Sequence, residues 1–275
     1  MIKFKTLKSL NDLLQISGYT VADFDLPQLH DFPALVLDSL MRNNLIRCEV
    51  EGYDQTTLQA IMDQEDQLSE GQRAIFDEII QAANEPGQDN KLFFIDGPGG
   101  TGKSTLLRHI LAKVRLAGKI AIAVASSGIA SLLLMGGRTE HSTFKIPLQL
   151  TNKLICAIYK QSHLKGLIQR ASLIIWDEAP MTHRLAFEAV DRTLRDIMDY
   201  DQEPFAGKVF VLPGNFRQIL PVVVCGTPAE TIDACLNSST LWAHLNSFTS
   251  RKTCVSDRPG TTARRGLPNS KLRPP

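Results

Sequence analysis

The chain has 275 residues, 43% of them apolar, with 30 Lys and Arg against 29 Asp and Glu and a formal net charge of +1. That length and apolar content can fill a core and lie far from the composition of disordered chains. No apolar run reaches the roughly 18 residues of a membrane-spanning helix. Charge is unevenly spread, with 12 acids against 5 bases in residues 1–70 and 7 bases against one acid in residues 251–275. The five cysteines lack a CxxC pair and read as reduced thiols of an intracellular protein, with no metal site suggested. Near the start, Asn11 and Asp12 interrupt the apolar residues and no small-residue cleavage site follows, so no secretory signal is expected.

In chain order, residues 1–67 hold short apolar clusters at 7–14 and 35–45, broken at Gly18, Pro27 and Pro33, and predict a small helical lead-in. Ser69 then stands as the N-cap of a helix carrying Ala74, Ile75, Phe76, Ile79 and Ile80, and a polar loop with Pro86 and Gly87 follows. Strand–helix alternation begins at residues 92–95. A helix is predicted over 104–116, a buried strand over 120–124, a third over 173–176, a helix over 184–199 and a fourth strand over 209–212. This is an α/β pattern with a mostly parallel sheet, whose ligands belong at the carboxyl ends of the strands. Residues 68–250 are read as that domain. The segment 251–275, with four prolines and no aromatic residue, is read as a disordered basic tail, a solvated terminus rather than a nucleic-acid arm.

Between the first strand and its helix, Gly97-Pro98-Gly99-Gly100-Thr101-Gly102-Lys103-Ser104 fits GxxxxGK[ST], the P-loop pattern. Glycines let successive backbone N–H groups face phosphates at a helix N-terminus. Lys103 would reach the β- and γ-phosphates and Ser104 would hold Mg²⁺. Gly97, Gly99 and Gly102 also satisfy GxGxxG. A dinucleotide site, however, needs an acid about 20 positions on, and the next strand ends in Ala125-Ser126-Ser127. Asp177 and Glu178 close the third strand: Asp177 suits Mg²⁺, and Glu178 suits a base that positions the attacking water. Gln218, leaving the fourth strand, would sense the γ-phosphate. Glu178 and Gln218 have no role in a nucleotide kinase, and together with the intervening strand they favour a hydrolysing, RecA-like ATPase.

These stretches resemble the Pif-one (petite integration frequency) family of superfamily-one DNA helicases, especially its Helitron-type eukaryotic branch. The matching runs are LSEGQRAIFDEI, FFIDGPGGTGKSTLL, AVASSGIASLLLMGGRTEHSTFKIP, ASLIIWDEAPMTHRLAFEAVDRTLRDI and VLPGNFRQILPVV, within residues 68–224. The resemblance implies an ATP- and Mg²⁺-dependent 5′-to-3′ motor on single-stranded DNA or duplex junctions. It also implies work in repair, recombination and telomere maintenance, in the nucleus or the mitochondrion. It assigns Gln72 to adenine, residues 97–104 to the phosphates, Asp177 and Glu178 to hydrolysis, and Gln218 to γ-phosphate sensing. Ser126, Ser127, Gly128, His141, Ser142, Phe144 and Lys145 match the DNA-facing motif. Residues 138–170 carry six bases against Glu140 alone, which suits a phosphate-tracking strip or a solvated face equally.

The chain departs from the family in having Pro213-Gly214-Asn215 where Gly-Gly-Asp is usual. Asn215 removes a charge and Pro213 a backbone donor, which bears on coupling hydrolysis to movement. No second RecA-like domain with an arginine finger is legible after His244. The expectation is therefore a first motor domain only, the product of a truncated or frame-shifted gene, not unwinding DNA alone and open to a second lobe in trans. The alternative is a non-catalytic module that binds ATP and single-stranded DNA without turnover.

Overall fold

The computed structural model describes residues 44–85 and 91–249, with Phe24 and Leu26 besides. The predicted clusters at 7–14 and 35–43, the loop residues 86–90 and the tail 251–275 lie outside the described residues. Six strands form one parallel sheet: β1 (Leu92–Asp96), β2 (Ile120–Ala125), β3 (Arg138–Thr139), β4 (Ala171–Asp177), β5 (Phe210–Gly214) and β6 (Asn246–Thr249). Their spatial order is β3-β2-β4-β5-β1-β6. The helices are α1 (Asn44–Glu51), α2 (Gln55–Met62), α3 (Glu70–Asn84), α4 (Lys103–Leu116), α5 (Gly128–Leu133), α6 (Glu140–Phe144), α7 (His163–Arg170), α8 (Arg184–Met198) and α9 (Pro228–Ala234). No described helix is long and apolar enough to cross a membrane.

The continuous apolar strands are explained by burial on both faces. Phe93, Ile95, Leu173 and Ile175 point into the layer formed with α2, α3 and α4. Phe94, Ile174 and Trp176 point the other way, onto the α8 residues Phe187, Val190 and Leu194. The period of two along each strand thus serves two cores at once. Ser69 caps α3 as expected, and its partner Gln72 completes a capping box.

The lead-in is not a separate body where it is described. Leu58 and Met62 of α2 belong to the core around α4, and Leu45 and Ile46 of α1 pack against the opposite core. Tyr53 explains part of the attachment. Its ring lies 3.8 Å beneath the buried Arg115 guanidinium, and its hydroxyl donates to Glu49 at 2.8 Å.

Strand order sets the site. β5 lies between β1 and β4, so the segment leaving β5 emerges between the loop after β1 and the acids ending β4. β4 pairs with β5 only at Ile174↔Phe210 and Ile175↔Val211. Pro213, which has no N–H to give, keeps its register with Ile95 of β1. The two strands part beyond Val211, and a crevice opens at their carboxyl ends.

Candidate nucleotide site and the DNA-facing motif

The phosphate loop joins β1 to α4. Gly100 and Gly102 both sit at φ +79°, a conformation that strains any residue with a Cβ. Thr101 is buried and donates its hydroxyl to the Pro98 carbonyl at 2.9 Å, which closes the curl. Lys103 Nζ donates to the Gly97 carbonyl and reaches the Pro98 carbonyl at 3.5 Å. Its ammonium therefore rests on the rim of its own loop.

Gln72 lies against this loop. Its amide N–H donates to the Thr101 carbonyl at 2.9 Å while its amide oxygen accepts from Ser69 N. A side chain at Gly102 would bring its Cβ within 2.5 Å of Gln72 Nε2. One residue thus ties the N-terminus of α3 to the phosphate loop, with both ends of its amide engaged.

Asp177 is buried, and its Oδ1 accepts from Glu178 N at 2.9 Å. Burial pushes its carboxyl up to about 6, the Glu178 charge adds to the rise, and Lys103 opposes it. Glu178 has a left-handed backbone (φ 52°, ψ 39°), so the chain turns sharply as β4 ends. Gln218 reaches the loop from the other side, its Nε2 at 3.4 Å from where a Cβ on Gly99 would stand. Lys103, Ser104, Asp177, Glu178 and Gln218, with Pro98, Gly99, Gly100 and Gly102, line one cleft of about 270 Å³. A buried carboxylate and a serine hydroxyl lining one cleft are an oxygen donor set suited to a divalent cation that takes its remaining ligands from water and phosphates. Among the described residues no cluster of three or more His, Cys, Asp or Glu forms a self-sufficient metal cage.

Gly214 and Asn215 sit where the sequence departs from the family pattern. The Gly214 carbonyl accepts from Gly97 N at 3.2 Å, and a Cβ there would lie 2.0 Å from Pro180 Cδ. Asn215 is buried and accepts from Arg217 N at 2.9 Å through its side-chain oxygen. A turn of this kind needs the acceptor, not a charge.

The DNA-facing motif divides. Ser126 faces inward: its hydroxyl donates to the Glu178 carbonyl at 2.9 Å and lies 2.7 Å from Thr182 Oγ1. Ser127 caps α5 through Ala130 N, and Gly128 beside it is exposed with open space around it. His141, Ser142 and Lys145 are exposed. His141 lies 3.3 Å from the buried Glu140 carboxylate, and Ser142 donates to the Thr139 carbonyl. Phe144 is corrected: it is fully buried and stacks on Trp176 with ring centroids 5.2 Å apart, so it is core and not a base-stacking platform. The basic strip is also interrupted, because Arg138 pairs with Glu49 at 3.0 Å and Lys160 with Asp199 at 2.7 Å. Thr182 and Pro180 lie within a matching run that assigns them no role, yet Thr182 meets the Ser126 hydroxyl and Pro180 packs over Gly214.

The family model described as PIF1-like helicase matches residues 67–262. The ATP-dependent DNA helicase PIF4 of Trypanosoma brucei brucei is 31% identical over 138 residues, 48% of this chain and 17% of its own length. The human ATP-dependent DNA helicase PIF1 is 30% identical over 164 residues, 59% of this chain and 24% of its own. The crystal structure of Pif1 helicase from Bacteroides in complex with ADP-AlF3 and ssDNA superposes with a TM-score of 0.56 at 25% identity. It covers 70% of this chain and 44% of that one. The chain thus spans less than half the length of each of these relatives. Since the family model matches residues 67–262, well over half of it, the chain belongs to the PIF1-like helicase family.

Proposed function

We propose that the chain is the nucleotide-binding motor lobe of an ATP-dependent 5′-to-3′ DNA helicase. The observation that carries this reading is the convergence of Lys103, Ser104, Asp177, Glu178 and Gln218 on one cleft from three different strand ends. Lys103, resting on loop carbonyls, is placed to exchange them for phosphate oxygens. Ser104 and Asp177 would hold Mg²⁺, which supplies neutralisation of phosphate charge. Glu178, its backbone fixed by Ser126, orients the attacking water and accepts its proton, while Gln218 reads the γ-phosphate end. Gln72 faces the adenine side by giving up its bond to Thr101. Single-stranded DNA crosses the exposed start of α5 and His141, Ser142 and Lys145, with a second motor lobe closing on the cleft. Duplex junctions, a nuclear or mitochondrial setting, and work in repair, recombination and telomere maintenance follow from the family and complete the reading.

The test is steady-state ATP hydrolysis by the purified chain, with and without single-stranded DNA, beside Lys103→Ala and Glu178→Gln. Turnover raised by DNA and lost in both variants supports a motor lobe. ATP and DNA binding without turnover in the parent chain would replace it with a non-catalytic binding module.

A further inference from the structure

At the opposite edge of the sheet, where the strands begin, the chain has a second cavity of about 290 Å³. Lys91, Lys119, Arg170 and Lys208 all line it, and each stands one or two residues before a strand, namely β1, β2, β4 and β5. Parallel topology gathers these four bases at one edge, although they are up to 117 positions apart in sequence. Strands of five to seven residues at about 3.3 Å each put this edge roughly 20 Å from the nucleotide cleft.

Of these four charges, Lys91 alone has a carboxylate partner among the described residues. Among the described residues no carboxylate lines the cavity. Lys91 pairs with Glu203 at 2.6 Å, and Gly207 at φ +69° leaves the room for that approach. Lys119 instead donates to Asn84 Oδ1 at 2.6 Å and the Ala83 carbonyl at 3.3 Å. Lys208 donates to the Gln169 and Ala171 carbonyls at 2.5 and 3.1 Å. Neutral acceptors satisfy the hydrogens of an ammonium but leave its charge in place. For Lys208, burial alone drives the pKa below its ordinary value. Half-buried cations without counter-ions are costly unless an anion joins them. Asn84, Gln169 and Ser172 add neutral polar groups to the wall.

We propose that this cavity is a second phosphate-binding site, taking a phosphate group from a free phosphorylated molecule or from a nucleic-acid backbone. It is independent of the ATP cleft and of the reading given to that cleft. Lys119 and Arg170 supply the removable charges, whereas Lys208 also holds two strand-start carbonyls and is left intact in the test.

The experiment is calorimetric titration of pyrophosphate into the full chain carrying Lys103→Ala, which disables the ATP cleft. The same titration is made after adding Lys119→Gln and Arg170→Gln, with circular dichroism and the unfolding midpoint as fold controls. Binding that weakens at least about tenfold on losing the two charges, with the fold intact, supports the site. Absent binding, or binding that ignores the two substitutions, overturns it. Where binding holds, a single-stranded oligonucleotide competing with pyrophosphate assigns the site to a nucleic-acid backbone, and failure to compete assigns it to a free phosphorylated ligand. Should the double variant not fold, Arg170→Gln alone, on an exposed side chain, decides by the same criterion.

Discussion

Ser126, just past the end of β2, donates its hydroxyl to the backbone carbonyl of Glu178 at 2.9 Å. A glutamate with left-handed backbone costs about 1–2 kcal/mol relative to the right-handed form and persists only where neighbours over-determine it. Ser126 and Thr182 are those neighbours. Ser126→Ala is expected to leave ATP affinity within about twofold and to lower turnover about tenfold, because the acid and not the phosphate loop is loosened. The kcat-against-KM split for ATP reads this, and an unchanged kcat would remove Ser126 from the positioning role.

Gly214 and Pro180 make a second brace. An alanine at 214 would put its Cβ 2.0 Å from Pro180 Cδ, inside the strand that also accepts a bond from the phosphate loop at Gly97. Gly214→Ala is expected to cost about 3 kcal/mol in urea unfolding. Adding Pro180→Ala should restore a large part of it, since the clash is with the ring itself. Equal destabilisation in the single and double variants would show that the glycine is needed for some other reason.

The phosphate loop, the acids and the alternating strands were legible because each obeys a local rule. Gly102 must be glycine for its φ, Ser69 must cap α3, and strands buried on both faces must read as apolar runs. The strands β3 and β6 were not legible. Arg138–Thr139 and Asn246–Thr249 are short, half-exposed edge segments, whose pairing is decided by the sheet beside them and not by their own composition. Ser126 and Phe144 show the limit at the site. A sequence motif gives a residue's place in the chain, but whether its side chain points to solvent or into the core depends on Trp176 and Thr182, more than 30 positions away. The four bases behind the strands were invisible for the same reason, since only parallel topology brings them together.

The attachment of α1 rests on buried charge. Glu49 is buried with Arg115, accepts from Tyr53 at 2.8 Å and pairs with Arg138 at 3.0 Å, while Arg115 also donates to the Ala121 and Met135 carbonyls. Burial lowers the Arg115 pKa, with Tyr53 and Glu49 opposing the change. Glu49→Gln therefore leaves a buried guanidinium without a full counter-charge and is expected to cost about 3 kcal/mol. Glu49→Leu combined with Arg115→Met should cost less than the sum of the two single changes, as a double-mutant cycle in urea would measure. Strict additivity would mean that the two groups do not sense each other across 3.9 Å.

The buried Asp177 carboxyl leads to an expected pH dependence of stability. Burial holds it at about 6 in the folded chain, whereas an unfolded aspartate titrates near 4. The folded state therefore binds the proton more tightly, and this group's contribution favours folding below about pH 4. That advantage fades as pH rises from about 4 to 6, and above 6 the full penalty of a buried charge remains, the reverse of an ion-paired aspartate. A displacement of about two pH units corresponds to roughly 3 kcal/mol. Asp177→Asn keeps an oxygen for the Glu178 N–H and removes the charge. In urea unfolding the variant should exceed the parent by about 2–3 kcal/mol at pH 8, with the gap closing toward pH 4. The same charge is what a divalent cation would draw on, so affinity for ATP with Mg²⁺ in the parent should fall from pH 7 to pH 5, while the variant binds weakly at both. A stability gap that does not change with pH would show that burial is not what sets this carboxyl's protonation.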